Sequence, residues 1–191
     1  MVNKLPYEHD NFIDNMIYKF VDTHLDIYYK LGFTPNMVTT MSLITGCYAA
    51  YLITQNNFTA AGFMHLVSYY LDCVDGKLAR KYDMVTVFGD FYDHFSDITK
   101  IIFVLVALYN NDPKTFKKII LILIPLFVLA MYHIGCQQVL YPEETTESPT
   151  LNIFKSTKES CMKNIYETRI FGLGTFNVVF AIIIIFWNKI S

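Results

Sequence analysis

Polar and apolar positions alternate at helical spacing from the first residues of the chain. Phe12, Ile13, Ile17, Phe20, Val21, Leu25 and Tyr28 fall on one face, with Asp14, Asn15, Lys19, Asp22 and Asp26 largely opposite. This pattern predicts an amphipathic juxtamembrane helix over residues 9–30, lying at a membrane surface ahead of the first span. Gly32 ends it and Thr34-Pro35-Asn36 restarts the chain. Pro35 suits a first helical turn, where the missing N–H would have had no intrahelical partner.

Five apolar stretches follow, near 37–55, 59–74, 85–109, 117–136 and 170–188. At 1.5 Å per residue most are long enough to cross a hydrocarbon layer of about 30 Å. The chain is therefore expected to be all-α, a polytopic transmembrane bundle of about five spans, with 170–188 as the final transmembrane helix. The second stretch is short unless its helix continues through 75–81, which would carry a polar end into the interface or into a cavity.

Composition agrees: 53% of the 191 residues are apolar and only 17% charged, which fits a single membrane domain over 1–191 better than a soluble one. A net charge of −2 leaves no polycationic surface for nucleic acid. Cys47, Cys73, Cys136 and Cys161 are widely spaced with no CxxC pair, and are expected to be reduced core residues. The polar start MVNKLPYEHDNF has no apolar signal-peptide region, so the first span is expected to direct insertion. The acidic segment YPEETTESPT, 141–150, reads as a solvated loop without chemistry.

Lys4, Lys19, Lys30, Lys77, Arg80, Lys81, Lys155, Lys158, Lys163 and Arg169 fall on one side of the expected bundle, and Lys114, Lys117, Lys118 and Lys189 on the other. The positive-inside rule places the first group, and with it the N-terminus and the 72–97 region, in the cytosol.

Into this apolar background the segment 72–97 sets four carboxylates. With the second span helical to residue 81, Asp72, Asp75, Gly76 and Ala79 share a face; Gly89, Asp93 and Asp97 stack one turn apart on the third span. A tight turn at Lys81–Met84 would aim all four carboxylates into one space, with small residues where they converge. Unpaired, an Asp at mid-helix costs about 2.5–3.5 kcal/mol on insertion scales. Two divalent cations would balance four negative charges, and an all-oxygen donor set favours Mg²⁺ or Mn²⁺. A two-metal centre of that kind can clamp an in-line phosphoryl displacement. Arg80, with Lys77 and Lys81, stands at the mouth as counter-charge for phosphate oxygens.

These residues resemble the signature of the CDP-alcohol phosphotransferase family, D-x2-D-G-x2-A-R-x8-G-x3-D-x3-D. Asp72, Asp75, Gly76, Ala79, Arg80, Gly89, Asp93 and Asp97 match it without exception in type or spacing, within a resemblance covering 31–135. Pro35-Asn36 and Thr39 also resemble the P-N-x-x-T element at the start of that family's first span. The resemblance implies a phospholipid-synthesis enzyme of the membrane that moves a substituted phosphoryl group from a CDP-linked donor to an alcohol acceptor, releasing CMP. It implies that Asp72, Asp75 and Asp93 are principal metal ligands, and that Asp97 is a second-metal ligand or the base acting on the acceptor hydroxyl. Gly76, Ala79 and Gly89 would leave room for the nucleotide, and Asn36, Thr39 and Arg80 would contact its polar groups. A homodimer is implied in the same way, and so is a sixth span that the apolar pattern here does not show.

The acceptor is less legible. Ile98 follows Asp97 where makers of phosphatidylinositol usually carry a basic residue, and His94 follows Asp93 where makers of phosphatidylglycerol phosphate often carry Pro. Asp93-His94 and Gly76-Lys77 are closer to the choline and ethanolamine phosphotransferases, which act on diacylglycerol, whereas the chain length favours users of CDP-diacylglycerol. A cytosol-facing site suits an endoplasmic reticulum, a bacterial plasma membrane or a virus-remodelled one. A divalent-cation carrier or channel is the reading from another class, since intramembrane carboxylates also line ion paths. It gives no reason for Gly76-x2-Ala79-Arg80.

Lys100, three residues beyond Asp97, is expected either to pair with it or to reach a phosphate. Arg169 is expected to snorkel at the interface or to bind an acidic substrate group. His94 is expected to pack as a neutral side chain, and His65 and His133 to be satisfied core residues.

Overall fold

A computed structural model describes residues 6–141 and 154–190; Lys4 and positions 142–150 of the acidic segment lie outside the described residues. Among the described residues every element is helical: α1 (Phe12–Asp22), α2 (Leu25–Lys30), α3 (Pro35–Thr54), α4 (Phe58–Lys81), α5 (Val87–Asn111), α6 (Pro113–Leu140), α7 (Lys158–Thr168), a 3-10 turn (Arg169–Phe171), α8 (Leu173–Ile185) and α9 (Trp187–Ile190).

The amphipathic segment is two helices rather than one. Thr23 Oγ1 donates to the Phe20 carbonyl at 2.7 Å, and the backbone N–H groups of Thr23 and His24 turn to carbonyls three residues back. That hydroxyl competes with the helical ladder and closes α1. α2 ends at Gly32, whose φ of +79° suits a residue without Cβ. Thr34 caps α3 by accepting from Met37 N at 3.3 Å, with Pro35 in the first turn. Asn57 and Thr86 cap α4 and α5 in the same way, accepting from Ala60 N and Gly89 N.

Among the described residues three stretches have the length and apolar composition to cross a membrane: α3, α6, and Lys158–Ile185, which runs from α7 to the end of α8. α4 and α5 have comparable lengths, 24 and 25 residues, but carry the carboxylates and lysines of the signature region. The helix of the second apolar stretch, α4, does continue to Lys81. The chain is an integral membrane protein of helical-bundle class.

It forms two compact units. The larger comprises Ile17–Ile119 and Asn177–Ser191. There α3 packs on both α4 and α5, and Val38, Leu71, Val74 and Leu78 form a core with Val21 and Leu25 from the surface helices. The surface helices are also held by charge. Lys77 Nζ lies 2.6 Å from Asp22 Oδ1 and donates to the Tyr18 carbonyl at 3.2 Å. Lys81 pairs with Asp26, to which Tyr82 Oη donates at 2.6 Å, and Tyr29 stacks on Tyr82 with ring centroids 3.8 Å apart. At the other ends of the helices Trp187 Nε1 donates to Asn111 and Asn111 Nδ2 to Asn56, at 2.9 and 2.8 Å.

The other unit comprises Met1–Met16 and Ile120–Phe176. Here Cys136 and Cys161 form a disulfide, which corrects the expectation of four reduced thiols; Cys47 and Cys73 take no part in a disulfide. The packing of α7 on α6 brings together two cysteines 25 residues apart in sequence, and Tyr132, Val139, Leu140 and Ile165 surround them. His133 is a satisfied core residue, meeting Thr168 at 3.1 Å and Gln137 at 3.0 Å. Arg169 Nη1 donates to the Glu8 carbonyl at 2.8 Å and its guanidinium covers the Tyr166 ring, so it is used within this unit.

Candidate active site

The helical spacings place Thr39, Ser42 and Gly46 along one stripe of α3 and Ser68, Asp72 and Asp75 along one stripe of α4, and the two stripes meet. Thr39 Oγ1 donates to Asp75 Oδ2 at 2.7 Å, so the most buried carboxylate of the segment has a donor on the neighbouring helix. Asp93 comes in from α5. One carboxylate oxygen each from Asp72, Asp75 and Asp93 lies within 4.8 Å of the other two.

Asp97 stands outside that trio. Its Oδ1 lies 2.7 Å from Lys100 Nζ, which also donates to Asp72 Oδ1 at 3.0 Å and to Ser42 Oγ at 2.7 Å. The expected pairing of Lys100 with Asp97 is present, and Asp72 and Ser42 join it. The signal for the serines lay in the spacing: Ser68 is one turn before Asp72, and Ser42 one turn after Thr39.

A Cβ on Gly76 would lie 3.2 Å from Arg80 Nη1, so the guanidinium is folded over the glycine, and Arg80 Nε is buried with no hydrogen-bond partner among the described residues. Ala79 is partly buried beside it. A Cβ on Gly89 would lie 2.9 Å from Thr86 Oγ1 and 3.1 Å from Asn36 Oδ1. Asn36 lines a cleft of about 400 Å³ with Thr34, Pro35, Met84 and Thr86. Thr39 donates to Asp75 and is not among the residues that line that cleft, and Lys77 and Lys81 are committed to Asp22 and Asp26, which leaves Arg80 as the basic residue of the signature not so engaged.

The histidines divide. His94 is half-buried and its Nδ1 meets the Asp90 carbonyl at 2.8 Å. His65 is buried edge-on against Phe180, with Nε2 unpartnered among the described residues.

The carboxylates fit a divalent cation. The donor set is all oxygen, the three atoms converge, and Asp93 Oδ1 is buried with no hydrogen-bond partner among the described residues, an orphan that a cation would satisfy.

A helical membrane protein with a partly buried carboxylate trio is the class this fold and site define. The chain belongs to the CDP-alcohol phosphatidyltransferase family, whose sequence profile matches residues 33–190. It is 37% identical over 68 residues to an archaetidylinositol phosphate synthase of Pyrococcus horikoshii, covering 36% of each chain. It is 30% identical over 88 residues to a bifunctional IPC transferase and DIPP synthase of Aquifex aeolicus, covering 46% of this chain and 20% of that one. The matches thus span 36% and 20% of the length of these curated relatives. No solved structure matches the chain significantly.

Proposed function

We propose that this protein transfers a phosphatidyl group from a CDP-linked lipid such as CDP-diacylglycerol to an alcohol acceptor and releases CMP, in phospholipid synthesis. The observation that carries the reading is the convergence of Asp72, Asp75 and Asp93 from two helices, with Asp75 fixed from a third by Thr39. Those three residues would hold Mg²⁺ or Mn²⁺. Bound there, the ion would draw charge from phosphate oxygens of the donor.

The chain's own residues supply the rest. Arg80, with a spare donor, binds the donor's phosphates. Asn36 and the bare edge of Gly89 receive the nucleotide at the cleft, with Gly76 and Ala79 giving the guanidinium and nucleotide room. Asp97, partly exposed and steadied by Lys100, takes the proton of the acceptor hydroxyl. The acceptor oxygen bonds to the phosphorus of the phosphatidyl group as the bond to the CMP oxygen breaks, and CMP carries off the electron pair. With the signature ends of α4 and α5 in the cytosol, α1 and α2 lie on the cytosolic membrane surface.

The name of the Pyrococcus horikoshii relative brings a phosphorylated inositol into the acceptor panel. The choline and ethanolamine type of reaction, on diacylglycerol, rests on Gly76-Lys77 and Asp93-His94; Lys77 is bound to Asp22 and His94 is turned to the Asp90 carbonyl, so neither gives that reading a contact. The deciding experiment measures CMP release by purified protein with CDP-diacylglycerol, Mg²⁺ or Mn²⁺ and a panel of alcohols. Activity that disappears in Asp93→Asn supports the reading. Folded, metal-loaded protein that releases no CMP with any donor and acceptor overturns it, and nucleotide-independent cation flux in proteoliposomes would establish a carrier instead.

A further inference from the structure

Lys100 occupies a slot shaped around it. The residue is 8% exposed, and its ammonium has as many acceptors as it has protons to donate: Ser42 Oγ, Asp97 Oδ1 and Asp72 Oδ1, at 2.7, 2.7 and 3.0 Å. A Cβ on Gly46 would come within 2.6 Å of Lys100 Cγ and 2.8 Å of Cδ, so glycine is what lets the stem pass α3. Ser42 Oγ donates to the Ser68 carbonyl at 2.9 Å, which turns its lone pairs to the ammonium, and Ser68 Oγ donates back to the Ser42 carbonyl at 2.8 Å. Two helices are thus arranged to deliver one cationic head between Asp72 and Asp97.

The carboxylates are shared out accordingly. Asp72, Asp75 and Asp93 offer converging oxygens, and Asp97 is outside their group and on the lysine. A second dication on Asp97 and Asp72 would compete for the same Oδ1 atoms that the tethered ammonium holds. One dication and the ammonium leave the four carboxylates with a single residual negative charge.

We propose that Lys100 stands in for a second divalent ion, so that the centre loads one ion per chain, on Asp72, Asp75 and Asp93, while the ammonium holds Asp97 in register as a positioning residue. This rests on the metal site of the proposed function.

The test is a Mn²⁺ titration of the purified full-length chain in detergent, with bound ion counted by electron paramagnetic resonance. Wild type is expected to bind one Mn²⁺ per chain and to show no exchange-coupled pair. Lys100→Met is expected to bind two with a coupled signal, and Lys100→Arg to return to one. Two ions in wild type with similar affinity overturn the inference and leave the metal reading standing, as does a folded Lys100→Met that still binds one. No bound ion overturns both. If Lys100→Met does not fold, the wild-type count and the presence or absence of the coupled signal decide the matter.

Discussion

Thr39 on α3 donates a 2.7 Å hydrogen bond to Asp75 on α4, with both side chains almost wholly buried. The contact gives the carboxylate one orientation. Thr39→Val removes the donor and keeps the shape, and is expected to weaken Mn²⁺ binding by roughly 10–100-fold, the range for lost partners of metal ligands. Thr39→Ser should retain most of the affinity. Direct Mn²⁺ titration checks both, and an unchanged affinity in Thr39→Val would mean that Asp75 is held by other contacts.

Lys77 lies inside the signature segment yet serves the fold. Its side chain is 5% exposed and that of its partner Asp22 24%. Lys77→Met is expected to destabilise the protein by about 2–3 kcal/mol, because the charge-assisted bond is lost and Asp22 keeps its charge in a half-buried place. Asp22→Asn should do less. Thermal unfolding in detergent measures this, and the KM for the CDP-linked donor should be unchanged; a raised KM would make Lys77 a phosphate ligand.

Asp26, outside the spans, gives the pH dependence a sign. The hydrogen bonds from Lys81 and Tyr82 hold its carboxyl below the ordinary 3.8. A carboxyl depressed on folding adds stability that is present in full above the ordinary value and is lost as pH falls through the lowered one. The stability difference between wild type and Asp26→Asn should therefore be flat near neutrality and shrink only below about pH 4. Melting temperatures across that range test it. The effect should be small, since Asp26 is exposed and its ion pair is screened.

The Cys136–Cys161 disulfide closes a segment of 25 residues. On the chain-entropy account a loop of that size adds about 3.5 kcal/mol. Reduction, or Cys161→Ser, is expected to lower the melting temperature, and peptide mapping after alkylation without reductant should recover the two cysteines in one linked species. Recovery of both as alkylated thiols would remove this contribution.

The helices and the carboxylate trio were legible because each has a local signal. Thr34-Pro35, Asn57, Thr86 and Pro113 punctuate the helices, and the spacing of Asp72 and Asp75 puts them on one face whatever the partner helix. What escaped depended on register between helices. The sharing of Lys100 between Asp97 and Asp72, and the serine pair behind it, needs α3, α4 and α5 in their final alignment. The break between α1 and α2 has no proline or glycine to announce it; a threonine hydroxyl turned on the backbone makes it. The disulfide escaped because no local motif links Cys136 to Cys161; only the packing of α7 on α6 does.

Lys77 and Lys81 reach out from the same three turns of α4 whose other face carries Asp72 and Asp75. Natural variation at these positions should therefore be coupled in pairs. A relative without the lysine at 77 should also lack the acid at 22, and one that changes 81 should change 26, while the carboxylates between them stay fixed. A comparison of related chains would then show the surface helices and the signature segment evolving as one inherited unit, although more than forty positions separate them in sequence.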